Sequence, residues 1–391
     1  MFDSKTISKQ KIAEINPTYD ISKSYDYNFS KGPFYNQPLP SIIPTGEKYN
    51  LLGYKLNSPL GVAAGLLLNS SWVKLYAELG FDILTYKTVR SVQHTSHPNP
   101  NCLLLNYCGQ LNDNFPLTAK EFGQQVPIDK LSITNSFGVP SASPDYWRRD
   151  VELAKSYLKK GQILIVSVVG TTKEFKCACT DDNVETFIRD FQQCAKWAKE
   201  AGADIIELDF SCPNSPVEEG EIYKDPVLSS AISQTVKKEI GDTPLFIKIG
   251  YIEDYEKLSS IVKANAPFIN GVAGINTLKR KVILPDGQQA LPGHGRETSG
   301  ICGAMIRECG LKSSRNLVKI RKEGNYEFAI IGIGGAMIPE HIEEYLNIGV
   351  DAVQVATAAM YDPHLAYKYN QFALEKIEAE CLNSIKVASL G

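Results

Sequence analysis

The chain contains no run approaching 18 consecutive apolar residues, so no segment has the composition of a membrane-spanning helix. Its first residues, MFDSKTISKQKIAEI, lack a basic stretch followed by an apolar core and do not read as a secretory signal. No Gly-x-Gly-x-x-Gly is present. The turn after the first candidate strand is Ala63-Ala64-Gly65-Leu66, which argues against a dinucleotide-binding open sheet. The five histidines (94, 97, 294, 341 and 364) show no metal-ligand spacing, so no metal site is expected. Nine cysteines are scattered without a four-cysteine run, which leaves an iron–sulfur cluster unsupported. Cys177-Ala178-Cys179 has no partner pair and reads as plain surface thiols. The odd count and the missing export signal point to reduced thiols in a cytoplasmic setting. A formal net charge of -3 without a basic run gives no footprint for nucleic acid or a membrane surface.

What is present is ordinary globular composition: 391 residues, 43% hydrophobic and 22% charged. Residues 1–50 are rich in Ser, Lys, Asn, Pro and Tyr without periodicity. They read as an N-terminal extension docked on the domain surface, with one short helix near 9–15. From residue 51 to 391 apolar runs alternate with amphipathic stretches, the signature of βαβ units. Candidate strands are 60–65, 83–88, 163–169, 204–210, 245–249, 271–276, 328–333 and 352–357. Candidate helices lie between them at 71–79, 145–160, 183–200, 227–240, 255–264, 315–323 and 339–348, with a last one at 364–385. Eight strands each followed by a helix predict an α/β fold, a single (β/α)8 TIM barrel. Residues 89–144 break the rhythm. They read as a long loop on the active face, since loops of that length in compact domains are normally functional.

The fourth candidate strand organises the rest. Its apolar run ends abruptly in Ser211-Cys212-Pro213-Asn214, which delivers a cysteine to the C-terminal rim, where barrels place their sites. The same rim receives Lys87-Thr88, Asp209, Lys248, Asn276-Thr277, Gly334-Gly335 and Ala356-Thr357, and the long loop adds Asn135-Ser136-Phe137-Gly138. A lysine inside the run Phe246-Ile247-Lys248-Ile249 is costly to bury unpaired, so an anionic ligand is its natural counterpart. The glycines after strand seven and the small residues after strand eight form a backbone nest suited to phosphate. Phosphate, two lysines and a cysteine on one face suggest a flavin mononucleotide (FMN) with a substrate over its ring.

These residues resemble the class 1 dihydroorotate dehydrogenases and the related pyrimidine-reducing domain of dihydropyrimidine dehydrogenases. The resemblance runs from about residue 52 to 362: SPLGVAAG at 58–65, TYKT at 85–88, NSFGVPS at 135–141, SCPN at 211–214, FIKIGY at 246–251, GINTL at 274–278, SG at 299–300, GIGG at 332–335 and VQVATA at 353–358. It implies oxidation of dihydroorotate to orotate in pyrimidine biosynthesis. Cys212 is implied as general base, with hydride passing to FMN. Lys87, Asn135, Phe137, Gly138, Val139, Asp209, Asn214, Asn276 and Thr277 are implied around the pyrimidine. Ala64, Gly65, Lys87, Thr88, Asp209, Lys248, Ser299, Gly300, Gly334, Gly335, Ala356 and Thr357 are implied around the cofactor.

The resemblance also implies a homodimer, off the membrane, that discharges to a soluble acceptor such as fumarate or through a partner subunit to NAD. Cysteine rather than serine at 212, and Leu66-Leu67-Leu68 after the AAG turn, resemble class 1 rather than class 2. Asp209 stands where the family has asparagine. Either it is protonated, or it points elsewhere, or the substrate is another dihydropyrimidine or cyclic amide. A non-catalytic flavin-binding homologue is the alternative of a different class. A barrel isomerase of phosphorylated sugars leaves Cys212 unexplained.

Overall fold

A computed structural model describes residues 17–41, 47–106, 109, 111, 116–120, 126–171, 181–211 and 218–388. Eight parallel strands close into a barrel: β1 (Leu60–Leu67), β2 (Ile83–Val89), β3 (Ile163–Val168), β4 (Ile205–Asp209), β5 (Leu245–Ile249), β6 (Gly271–Gly274), β7 (Ala329–Ile333) and β8 (Ala352–Val355). They pair in chain order, and β8 closes on β1. Helices cover the outside, so these strands are buried on both faces, which is why each reads as a continuous apolar run. All eight expected strands form, and the helices fall close to their expected bounds. Arg307–Glu323 begins two turns before the expected start at 315. Helix starts carry their own signals: Asn69, Asp225 and Asp254 each accept backbone N–H groups as N-caps.

Two features depart from the sequence reading. The interval 89–144 is not a plain loop. It supplies Cys102–Leu104, Leu117–Thr118 and Ser132–Asn135, which join Leu278–Ile283 and Thr298–Gly303 in a five-stranded sheet over the active face. The second departure is an antiparallel hairpin, Tyr49–Leu51 with Tyr54–Leu56, turning through Leu52-Gly53 at φ of 52° and 92°. Its Leu51 and Leu56 pack with Ile83, Ile163, Ile205 and Phe246 and so close the barrel's N-terminal end. The helix expected near 9–15 lies outside the described residues. Residues 25–31 form a short helix, capped by the Ser24 side chain. Tyr19 and Tyr25 are buried in the main core.

The register fixes what fills the barrel. Inward residues from alternate strands stack in layers when register climbs by one residue per strand. The lowest layer is Ile83, Ile205, Gly271 and Ala352, and above it stand Gly61, Ile165, Phe246 and Ile331. The next is Thr85, Glu207, Ala273 and Gln354, followed by Ala63, Ser167, Lys248 and Ile333. Lys87, Asp209, Ile275 and Ala356 are on top. The interior is therefore apolar below and polar toward the C-terminal rim.

Candidate active site

A pocket opens over that polar top. Its walls are the ends of β1, β2, β4, β5, β7 and β8, the segment after β6, and the five-stranded sheet. Lys87 and Lys248 are 8% and 3% exposed, so both ammonium groups stand at the floor rather than in bulk water. Lys87 Nζ lies 3.4 Å from the Thr88 carbonyl oxygen. Lys248 pairs in register with Asp209 across β5 and β4. Among the described residues its ammonium finds no hydrogen-bond acceptor within the protein.

Asp209 is held by donors. Thr88 Oγ1 donates to Oδ2 at 3.3 Å, and the Ser211 amide and hydroxyl reach Oδ1 at 3.2 and 3.4 Å. With Lys248 on the neighbouring strand, these donors offset the negative charge that replaces a neutral amide. Ser211 is fixed from the other side as well. Asn276 Nδ2 donates to the Ser211 carbonyl at 2.7 Å, while Asn276 Oδ1 accepts from the Thr277 amide. The end of β4 is therefore anchored on both sides immediately before residue 212.

The loop after Ser132–Asn135 forms another wall. Two buried guanidinium groups hold it: Arg296 donates to the Ser136 carbonyl and Arg90 to the Val139 carbonyl. Between them Gly138 turns at φ of 76°, and a Cβ there would meet the His97 ring at 2.6 Å, so only glycine fits. The rings of Tyr19 and Tyr25 meet Phe137 edge-on at 6.0 and 6.1 Å. Burial pushes both phenols well above their ordinary range. Two thiols also line the pocket. Burial pushes Cys302 up to about 11, against the pull of Thr357 and Asn135, and pushes Cys102 well above its usual value. Neither is a thiolate at neutral pH, so neither suits the work of a base.

The structure brings together Ala64, Gly65, Lys87, Thr88, Asn135, Phe137, Val139, Asp209, Lys248, Asn276, Thr277, Gly334, Gly335, Ala356 and Thr357 around one space. Gly138 lies between two of them without facing it. Ser299 and Gly300 lie back from the wall in the five-stranded sheet. There the Ser299 hydroxyl pairs with Thr134 Oγ1 at 2.5 Å, and Gly300 is a register partner of Asn135. Cys212 and Asn214 lie outside the described residues. Sequence reasoning missed Tyr19, Tyr25, Cys102, Cys302 and Gln354 in the lining. Only the tyrosine content of the N-terminal stretch hinted at the first two.

At the phosphate end, the amides of Gly334, Gly335 and Ala356 donate to no acceptor among the described residues. Gly335 has φ of 70°, and a Cβ there would meet Arg307 N and Gly303 O at 2.7 Å. Backbone donors beside buried lysines, at the C-terminal rim of a barrel, form a pocket whose chemistry suits anionic ligands, as in barrel enzymes.

Comparisons with known proteins narrow that class. The dihydroorotate dehydrogenase family model matches residues 122–377. A dihydroorotate dehydrogenase of Dictyostelium discoideum is 39% identical over 369 residues, covering 90% of this chain and 96% of that protein. The chain belongs to the dihydroorotate dehydrogenase family. At 25% identity it is also similar to the catalytic subunit of an NAD(+)-linked dihydroorotate dehydrogenase B of Methanocaldococcus jannaschii, over 82% of this chain and 90% of that one. A solved dihydroorotate dehydrogenase of Eimeria tenella, in complex with ferulenol, has the same fold. Its TM-score is 0.67 at 17% identity, with 88% of each chain covered.

Proposed function

We propose that the protein is an FMN-dependent oxidoreductase that converts dihydroorotate to orotate, an oxidation of a CH–CH bond in pyrimidine biosynthesis. The observation that carries this reading is the pairing of two buried lysines with the Gly334-Gly335 backbone donors around one pocket, in a chain of this family. The residues present fit the cofactor. The amides at 334, 335 and 356, without an acceptor among the described residues, suit its phosphate, and Lys248 has no hydrogen-bond acceptor among those residues. When bound, FMN supplies a two-electron acceptor for hydride.

The chain's own residues do the rest. Lys87 and Lys248 bring positive charge to the floor, where an anionic substrate and a ring that gains electrons need it. Asn135, Phe137, Val139, Asn276 and Thr277 line the space around the substrate, and Thr277 Oγ1 has no partner among the described residues. Cys212 removes the proton from the carbon next to the one that loses hydride, and the anchoring of Ser211 by Asp209 and Asn276 fixes where its backbone starts. Tyr19 and Tyr25 support Phe137 and keep that side of the pocket dry. Electrons leave to a soluble oxidant such as fumarate, or through a partner subunit to NAD. We assign a homodimer in the cytoplasm on the family resemblance alone.

Activity of Cys212→Ser tests the base. The reading predicts that turnover collapses at neutral pH and partly returns at high pH, where serine is more readily deprotonated. Full turnover at neutral pH would overturn the assignment.

A further inference from the structure

Glu207 has no role in the chemistry above, yet its position is unusual. It is fully buried on β4, and neither carboxyl oxygen has a hydrogen-bond partner among the described residues. The register places it in one interior layer with Thr85, Ala273 and Gln354. In that layer Gln354 donates to Thr85 Oγ1 at 2.8 Å, but its own carbonyl oxygen is unpartnered. Strands β4 and β8 lie opposite each other in the eight-stranded barrel, and Ala273 is the smallest side chain of the layer. Three oxygens without a hydrogen-bond partner among the described residues, two of one carboxyl and one of an amide, thus share one interior layer beneath Lys248.

An ionised carboxylate there has only the Ser167 hydroxyl nearby, too poorly placed to form a hydrogen bond, and no other donor among the described residues, which is a costly way to bury a charge. The neutral acid supplies what the layer lacks, a hydrogen for the Gln354 carbonyl. A buried water that touches Glu207, Gln354 and Thr85 has the two to four polar partners such a water needs. The charged groups nearby decide where the single negative charge sits. Lys248 stands in the layer above, and Asp209 and Lys87 stand one layer higher. Asp209 has three donor contacts, whereas no hydrogen bond to Glu207 forms among the described residues.

We propose that Glu207 is held as the neutral acid, bridged through a buried water to the Gln354 carbonyl, so that Lys248 keeps its positive charge for an anionic group bound above. Burial raises the proton affinity of Glu207, Lys248 opposes this, Asp209 reinforces it, and Ser167 opposes it more weakly. Glu207 is thus a positioning residue that acts through Lys248. That Lys248 serves the FMN ring rests on the proposed function; the protonation of Glu207 does not.

Infrared spectroscopy of the holoenzyme at pH 8 tests the idea, since Asp82, pushed up to about 6 by burial, has ionised by then. The expected result is a carbonyl band of a protonated carboxylic acid that shifts in heavy water and is absent in Glu207→Gln. In Gln354→Leu the same band should move, a readout that remains if Glu207→Gln does not fold. Absence of the band in the wild-type protein would overturn the proposal. In the second arm, FMN affinity of Glu207→Gln should stay within about threefold of wild type, because one neutral group replaces another. A tenfold gain would show that a Glu207 carboxylate had been neutralising Lys248, and would equally overturn the proposal. A protein with the band that takes up no FMN would sink the flavoenzyme reading and leave the protonated acid standing.

Discussion

Replacing Arg296 by methionine should loosen the substrate wall more than any other single change outside the pocket lining. The guanidinium is 3% exposed and donates to four carbonyl oxygens, those of Pro98, Pro100, Pro292 and Ser136, at 2.6–2.9 Å. It thereby ties the segments around residues 98, 136 and 292 to one point, with no carboxylate among the described residues involved. A hydrogen bond to a charged group contributes about 1.5–3 kcal/mol, and a stranded buried acceptor costs about 1–3 kcal/mol. These terms share one side chain and are not additive, and Arg296 Nε is itself unpartnered among the described residues, which subtracts from the native side. Water will also reach some of the freed carbonyls. The net loss should be about 3–4 kcal/mol, near the upper end for single substitutions.

Because Ser136 adjoins Asn135 and Phe137, the damage should concentrate in substrate binding. The expected result for Arg296→Met is a lower urea midpoint with an unchanged m-value. KM for dihydroorotate should rise about tenfold, with a smaller change in kcat. Arg296→Lys should recover little, since a point charge cannot address four acceptors in one plane. A variant with wild-type midpoint and KM would refute the clamp.

Other consequences follow from individual groups. Burial raises Asp82 to about 6, so its contribution to stability is fully present below about pH 4 and lost as pH rises through 6. Asp82→Asn should flatten the stability profile of the wild type by about 3 kcal/mol between pH 4 and pH 8, as read by urea titrations at both ends. Gly335→Ala should weaken FMN binding at least tenfold by fluorescence titration, because the added Cβ meets backbone atoms at 2.7 Å in a left-handed conformation. Asn276→Ala removes the 2.7 Å bond to the Ser211 carbonyl and should lower kcat by up to about 100-fold with little change in FMN affinity.

The barrel was legible because parallel strands buried on both faces read as apolar runs, and their C-terminal ends named the rim residues without further help. Lys87, Asp209 and Lys248 stood out as polar residues inside such runs. The five-stranded sheet was not legible. Strands as short as Leu117–Thr118 carry no period, and their partners at Leu278–Ile283 are far away in sequence. The hairpin below the barrel did leave a signal, YNL-LG-YKL, with a glycine turn between alternating residues. Tyr19 and Tyr25 reach Phe137 only through tertiary packing, for which no local pattern exists. Glu207 shows how a polar interior layer hides inside a strand that reads as apolar.

The central claim is that this pocket oxidises dihydroorotate with a bound flavin. Adding dihydroorotate to the FMN-loaded protein without oxygen, while recording the visible spectrum, tests it most directly. The account predicts that the oxidised flavin band bleaches as orotate appears in equal amount. A flavin band that stays unchanged at saturating dihydroorotate would contradict it.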